Sequence, residues 1–488
     1  MNPRKLNQPI SRPLDRRSFI KGVLAAGTIS VITPASVFAA EGAGLKRARG
    51  EKVKLACIGI GNRGADVVKA LNATGLANVV ALCDTDMGAP HTQAVLKMFP
   101  DVPRFQDFRK LFDKMGKEIE AVSVAVPDFS HFPIAMLAMS LGKHVYCEKP
   151  MAHSFRQIEL MMAAEQKYKV ACQMGNQGHS EANYFQFKAW TEAGIIKNVT
   201  KITAFMNNSR RWHDTAKFAY SKLTDYLPEE PIPSTLDWDC WLTTAQDHKY
   251  NKGYINGDWR SWFDFGNGAL GDWGAHIFDT AHEFLDLGLP TSVEPKLEGY
   301  SPFIFPQAST LLFKFPARGT QPPLDLTWYD GQENLPPLPD NMGESVTDSD
   351  IPPPSKGSAV PDGKKRPPGK VIYGEGLTFK GGSHGSSLKI IPEDKAKDMG
   401  GKLPKVPKSP SNHFGNFLKA AKGEEKTRSN FAVAGPLCQA MAIGIIAQRV
   451  NAKVEFDRTT KQITNHKLAN ELLNGVPPRK DWEQYYRL

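Results

Sequence analysis

Three short stretches carry side chains of the kinds that hold phosphates and move protons. Gly59-Ile60-Gly61-Asn62-Arg63-Gly64 spells G-x-G-x-x-G directly after the apolar run Val53–Ile58, and helical spacing resumes over residues 65–71. In that setting the first glycine permits a tight turn and the second lets the backbone approach a pyrophosphate. The third lets helix pack on strand, while the helix N-terminus faces the phosphates. Glu148-Lys149-Pro150 closes a second apolar run. The proline fixes the backbone and ends any ladder, which holds Lys149 in a turn at the same edge. Asp272 and His276 are four apart, so on a helix they share a face and could act together on one proton. Taken alone each has a plainer reading: a solvated lysine, an N-cap aspartate, a packed histidine.

The surroundings favour the chemical reading of the first stretch. Residues 79–84 read as a second buried strand ending in Asp84, twenty residues beyond Gly64. A carboxylate there would bond adenosine ribose hydroxyls and repel a 2′-phosphate, which favours NAD over NADP; an ordinary loop aspartate is the alternative. Residues 121–126 read as another buried strand, with Pro127, Asp128 and His131 at its carboxyl end, where ligands sit in open α/β sheets. Residues 170–174 read as a last strand, and Asn176 lies in the loop beyond it. Trp259-Arg260-Ser261-Trp262 sets two indoles beside a guanidinium, which suits either a sugar face or packing at a domain interface.

Strands alternate with helices up to residue 175, so the expected fold class is α/β, with a doubly wound parallel Rossmann sheet over residues 50–175. Residues 176–430 are expected to form a second α/β domain with an open, mostly antiparallel sheet, because strand-like runs at 199–207, 293–300, 310–315 and 324–329 have few helices between them. Residues 330–412 turn to Pro, Gly, Lys and Ser and read as an extended or mobile excursion, although 370–373, 377–380 and 387–391 still look like short strands. The apolar helix Phe431–Val450 and the tail to residue 488 are expected to pack back on the first domain.

At 488 residues the chain suggests two or three domains, and its hydrophobic content of 41% supports real cores. Half of the net charge of +10 falls in residues 1–39, which hold six Lys or Arg against Asp15 alone. The remainder shows no basic stripe with interleaved aromatics, so no nucleic-acid partner is expected. The six cysteines make no C-x-x-C pair, and neither a disulfide framework nor a metal site is implied. Asp15-Arg16-Arg17-Ser18-Phe19-Ile20-Lys21 before the Gly/Ala-rich apolar run 22–38 reads as a twin-arginine signal, with a membrane anchor as the alternative. That route carries folded proteins to the periplasm, where free nicotinamide nucleotide is scarce, so a tightly held cofactor is expected.

In this order and at these separations, Gly59-x-Gly61-x-x-Gly64, Glu148-Lys149-Pro150 and Asp272-x-x-x-His276 resemble the glucose-fructose oxidoreductase, inositol dehydrogenase and MocA (Gfo/Idh/MocA) family. The resemblance covers most of the chain from Val53 onward. It implies a Rossmann domain followed by an α/β domain whose open sheet often forms oligomer interfaces, hence a homo-oligomer. It also places Lys149, Asp272 and His276 at the positions of the family's catalytic lysine, aspartate and histidine. His276 is then the general base for a substrate hydroxyl, Lys149 stabilises charge on that oxygen, and Asp272 orients the group.

Cofactor contacts are expected at Gly59, Ile60, Gly61, Asn62, Arg63, Gly64, Asp84, Pro127, Asp128, His131, Glu148, Lys149 and Asn176. Substrate contacts are expected at Trp259, Arg260 and Trp262. The expected function is a periplasmic NAD-dependent oxidoreductase acting on a small-molecule sugar, polyol or glycoside, with no membrane insertion after signal removal. One alternative is a glycosidase or lyase that works by transient oxidation and elimination with no net redox change. Against it stands Lys149, because the family's glycosidase branch typically lacks that lysine. A non-catalytic carbohydrate- or nucleotide-binding protein is the other.

Overall fold

Strands buried on both faces need near-continuous apolar runs, and the first sheet is built from them. The computed structural model describes residues 50–206, 223–331, 334–337, 339 and 368–488. The signal reading over residues 1–39 and the Pro/Lys-rich stretch 340–367 lie outside the described residues. The first sheet contains β1 (Val53–Ile58), β2 (Ala77–Cys83), β3 (Arg104–Phe105), β4 (Ala121–Val124), β5 (His144–Cys147) and β6 (Cys172–Met174) in the order β3-β2-β1-β4-β5-β6. All pairings are parallel. The order reverses between β1 and β4, so the crevice for a ligand opens beyond their carboxyl ends.

The second sheet has nine strands: β7 (Lys201–Met206), β8 (Ser292–Glu298), β9 (Ala308–Phe315), β10 (Leu324–Asp330), β11 (Gly369–Tyr373), β12 (Thr378–Gly381), β13 (Lys389–Ile391), β14 (Val454–Asp457) and β15 (Gln462–Ile463). Their order is β13-β12-β11-β7-β10-β9-β8-β14-β15, with β7 and β10 parallel and the remaining pairs antiparallel. The far end of the Pro/Lys-rich excursion therefore extends the sheet by three strands. Val371, Ile372 and Phe379 are fully buried there, which is why this part is ordered in spite of its flanking composition.

One helix joins the two sheets. Phe431–Val450 is apolar all round, with a mean hydropathy of 1.6, long enough to cross a membrane by composition alone, yet 83% of that window is buried inside the protein. Asn430 caps it by accepting from Val433 N, and Glu165 accepts from Phe431 N and Ala432 N. Its glycines allow close approach on both sides. A side chain at Gly435 would run into Met162 of the first domain, and one at Gly444 would meet Phe313 of β9 and Leu270 at 2.6 and 2.8 Å. The helix thus fixes the segment carrying Asp272 against the nucleotide-binding half.

Candidate active site

The glycine turn is shaped by contacts that admit no side chain. Gly59 has φ +79°, and a Cβ there would overlap Ala125 O at the end of β4. A Cβ on Gly64 would overlap Gly59 O, so the third glycine sets how closely the helix Arg63–Ala73 approaches the strand. The position a Cβ on Gly61 would take holds the His91 imidazole. Asn62 stands at the N-cap without a side-chain bond to the helix, leaving its N-terminus uncapped by protein. Asp84 accepts from Ile60 N at 3.0 Å and from Asp86 N at 3.1 Å. Burial raises its carboxyl above the ordinary range, with the two amides opposing.

At the other end of the crevice the charges are paired. Arg63 Nη2 lies 2.9 Å from Glu148 Oε1, while Glu148 Oε2 is buried without a hydrogen-bond partner among the described residues. Lys149 Nζ donates to Asp272 Oδ1 at 2.5 Å and to Asp272 O at 3.0 Å, and Arg260 Nε sits 3.5 Å from the same Oδ1. The Arg260 guanidinium lies over the Trp259 ring at 4.0 Å. Asp272 is inside the helix Gly268–Ile277 rather than at its cap, and His276 follows one turn later. Burial pushes the His276 imidazole well below its usual range, helped by His384, Lys149 and Arg63, so it is a neutral base at pH 7. Its Nδ1 is buried with no hydrogen-bond partner among the described residues.

Gly59, Gly61, Asn62, Arg63, Asp84, Pro127, Asp128, Glu148, Lys149, Trp259 and Arg260 all line one crevice of about 510 Å³. The uncapped helix end, the orphaned Glu148 Oε2 and the side-chain-free glycine turn fit a dinucleotide lying along it. Asp272 is buried and meets the crevice through Lys149, and His276 is buried one turn further along the same helix.

Other expected site residues do not face it. Ile60 is buried and Gly64 packs on the strand. His131 is enclosed with Nδ1 2.8 Å from Pro150 O and Nε2 2.9 Å from Val126 O, so it props the Lys149-Pro150 turn from beneath. Asn176 accepts from Ser429 Oγ at 2.5 Å and its amide nitrogen lies 2.9 Å from His179 Nδ1. Trp262 donates to Gly253 O and packs on Tyr254, so of the expected indole pair only Trp259 reaches the crevice. In His131, Asn176 and Trp262 the polar atoms are turned to protein neighbours rather than to the crevice.

Four features escaped the sequence. His91 lies over Gly61, and His384 stacks on His276. Behind them His179 is held between Asp279 Oδ2 at 3.0 Å and Glu283 Oε2 at 2.8 Å, which raises its pKa to about 10 against the opposing effect of burial. A group raised in this way stabilises the fold fully below its unfolded pKa of about 6.5, and that contribution disappears as pH climbs through the folded value. Thermal unfolding should therefore show stability falling between about pH 6.5 and about pH 10, and His179→Ala, which strands two carboxylates, should cost about 3 kcal/mol near neutrality. A variant as stable as the parent at pH 7 would remove this role.

The fourth feature is a strap, residues 223–262, several of whose residues line the crevice. Leu236 bridges to Asp86, Asp237 N donates to Thr85 O at 2.9 Å, and Ser130 Oγ lies 3.0 Å from Thr243 Oγ1. Thr243, a β-branched residue at φ +40°, lines the crevice in a strained conformation. Arg479 holds the strap from outside, donating to Thr243 O at 3.0 Å and Asp239 O at 2.8 Å.

A Rossmann sheet whose crevice ends on a lysine, aspartate and histidine delivered partly by a second α/β domain defines a two-domain dinucleotide-binding oxidoreductase architecture. Residues 53–176 match the family described as an oxidoreductase family with an NAD-binding Rossmann fold, and residues 185–298 match its C-terminal alpha/beta domain. Both matches are to the Gfo/Idh/MocA oxidoreductase family. Among its relatives, inositol 2-dehydrogenase of Salmonella paratyphi B is 30% identical over 147 residues, covering 30% of this chain and 43% of the relative. Glycosyl hydrolase family 109 protein 2 of Shewanella sp. strain ANA-3 is 28% identical over 188 residues, covering 33% and 39%. The matched regions span less than half the length of these two relatives.

The fold is shared with the WlbA dehydrogenase from Bordetella pertussis, solved in complex with NADH and UDP-GlcNAcA, at a TM-score of 0.53 and 15% identity over 83% of this chain and 99% of that one. It is shared equally with an NAD-binding protein from Listeria innocua, at a TM-score of 0.53 and 16% identity over 83% and 97%.

Proposed function

We propose that the protein is an NAD-dependent oxidoreductase of the periplasm that moves a hydride between a retained cofactor and the hydroxyl-bearing carbon of a sugar, polyol or glycoside. The observation that carries this reading is the 2.5 Å contact between Lys149 Nζ and Asp272 Oδ1, one turn from a buried neutral His276, at the end of the crevice that begins at Gly59. Nicotinamide, when bound, supplies the hydride acceptor. Lys149 donates to the reacting oxygen and stabilises the negative charge that develops there. His276 receives the hydroxyl proton, for which its lowered pKa keeps it ready at neutral pH. Asp272 orients the ammonium, and Arg260 on Trp259 offers an amphipathic edge to a sugar ring. Curated relatives named as inositol dehydrogenases support a polyol as substrate.

Retention is supported by the strap lining the crevice, and the periplasmic address by Arg16-Arg17 and the apolar run that follows. The test is mass spectrometry of nucleotide released on denaturation, joined to a polyol and sugar panel read at the NADH absorbance band. NAD released on denaturation, together with growth of the NADH band in the intact protein when at least one panel member is added, is the expected result; protein that neither carries nor binds the nucleotide sinks the proposal. A redox-neutral glycosidase is the second reading, favoured by the similarity to the glycosyl hydrolase family 109 protein. Phenol release from aryl glycosides with no acceptor present would select it.

A further inference from the structure

The turn between β12 and β13 brings a second imidazole to His276. Gly382-Ser383-His384-Gly385 folds tightly, with Gly382 N donating to Ser386 Oγ at 3.1 Å and Ser386 N to Ser383 O at 3.1 Å. His384 takes φ +49°, a conformation that costs a non-glycine residue energy and so demands a compensating interaction. Two such interactions are present. Its amide donates to His276 O at 2.8 Å, satisfying a carbonyl at the end of the Asp272 helix. Its ring stacks on the His276 ring with centroids 4.0 Å apart and planes 15° from parallel. Trp273 stands nearly perpendicular to both rings, at 6.5 and 5.7 Å. The turn itself has no slack: Asn183 N donates to Gly385 O, and a Cβ on Gly178 would come within 2.8 Å of His384 O.

We infer that His384 is a positioning residue for His276, and that this turn of the second domain belongs to the reaction centre. The inference rests on the oxidoreductase reading for its consequence but on the stack for its substance. A flat ring against one face of His276 restricts its rotation and fixes the direction in which it accepts a proton. Burial keeps His384 neutral by pushing its pKa to about 4. The charged and titratable groups facing the pair are Lys149, Arg63 and His413 toward His276, and Asp279, Glu148, Lys149 and Arg63 toward His384.

Two variants of the full holoprotein separate the roles. His384→Phe keeps a flat ring and the backbone bond; His384→Ala removes the shelf. Cofactor reduction by whichever panel member serves as substrate should lose about 30-fold in kcat in the alanine variant, with KM changed less than about twofold. The acid limb of its pH profile should move to higher pH, because His276 is less buried and loses its neighbour. The phenylalanine variant should recover most of kcat. Wild-type kcat in the alanine variant, or equal losses in both, would overturn the inference. If no panel member reduces the cofactor, the oxidoreductase reading fails separately, and ¹⁵N shifts of the His276 ring still decide the stack. Identical titration in parent and alanine variant would reject it; titration at higher pH in the alanine variant would support it.

Discussion

Lys149→Met is expected to lower the rate of cofactor reduction by about 1,000-fold, or about 4 kcal/mol of transition-state stabilisation, while bound nucleotide is retained. The ammonium is the donor nearest the reacting oxygen in the proposed reaction, and methionine keeps its length without its charge. The same change removes the 2.5 Å partner of Asp272, leaving that buried carboxylate with Arg260 Nε at 3.5 Å. Some loss of stability therefore accompanies the loss of rate. Lys149→Arg distinguishes the two, because a guanidinium restores a cation for Asp272 without restoring the compact point donor. Arginine should recover thermal stability and leave most of the rate deficit. A methionine variant within tenfold of the parent would mean that the reacting oxygen is held by other groups.

How much of this was legible in the chain depends on where the determining contacts lie. The strand–glycine–helix unit at Val53–Ile58 is legible because three glycines at fixed spacing between apolar runs are themselves the signal. Only Gly64 is required by an atom of the turn, Gly59 O, while Gly59 is crowded by Ala125 O and Gly61 by the His91 ring. The helix Phe431–Val450 is legible for a similar reason: a segment apolar on all sides has to be enclosed. The residues that follow a strand end are not distinguished in this way. Asp128 faces the crevice and His131 faces away, three residues apart, and only the positions of Val126 O and Pro150 O decide it. Trp259 and Trp262 divide in the same manner between crevice and core. His384 was hidden most completely. Its function comes from a stack on a residue over one hundred positions earlier in the sequence, inside a stretch whose proline and lysine content pointed to a loop.

Arg479→Ala is expected to speed release of the bound nucleotide by about 30-fold. The strap lines the crevice from Leu236, beside Asp86, to Arg260, beside Asp272, so loosening it is expected to ease the escape of a nucleotide lying there. Arg479 opposes that loosening from the C-terminal tail, which is itself held by the Arg109 guanidinium 4.6 Å from the Trp482 ring. Of its contacts, those to the Asp239 and Asp247 carboxylates involve partners 67% and 86% exposed and contribute little. The bond to Thr243 O is part-buried and that to Asp239 O is exposed; both are charge-assisted, and together they are worth about 2 kcal/mol. At about 1.4 kcal/mol per tenfold, that gives the stated factor. High salt should not reproduce the effect, since it screens the carboxylate pairs and leaves the carbonyl bonds in place. Release can be followed by diluting holoprotein loaded with NADH and recording the decay of its fluorescence. An unchanged half-life would show that the strap does not limit escape, and retention would then have to come from the glycine turn and Asp84 alone.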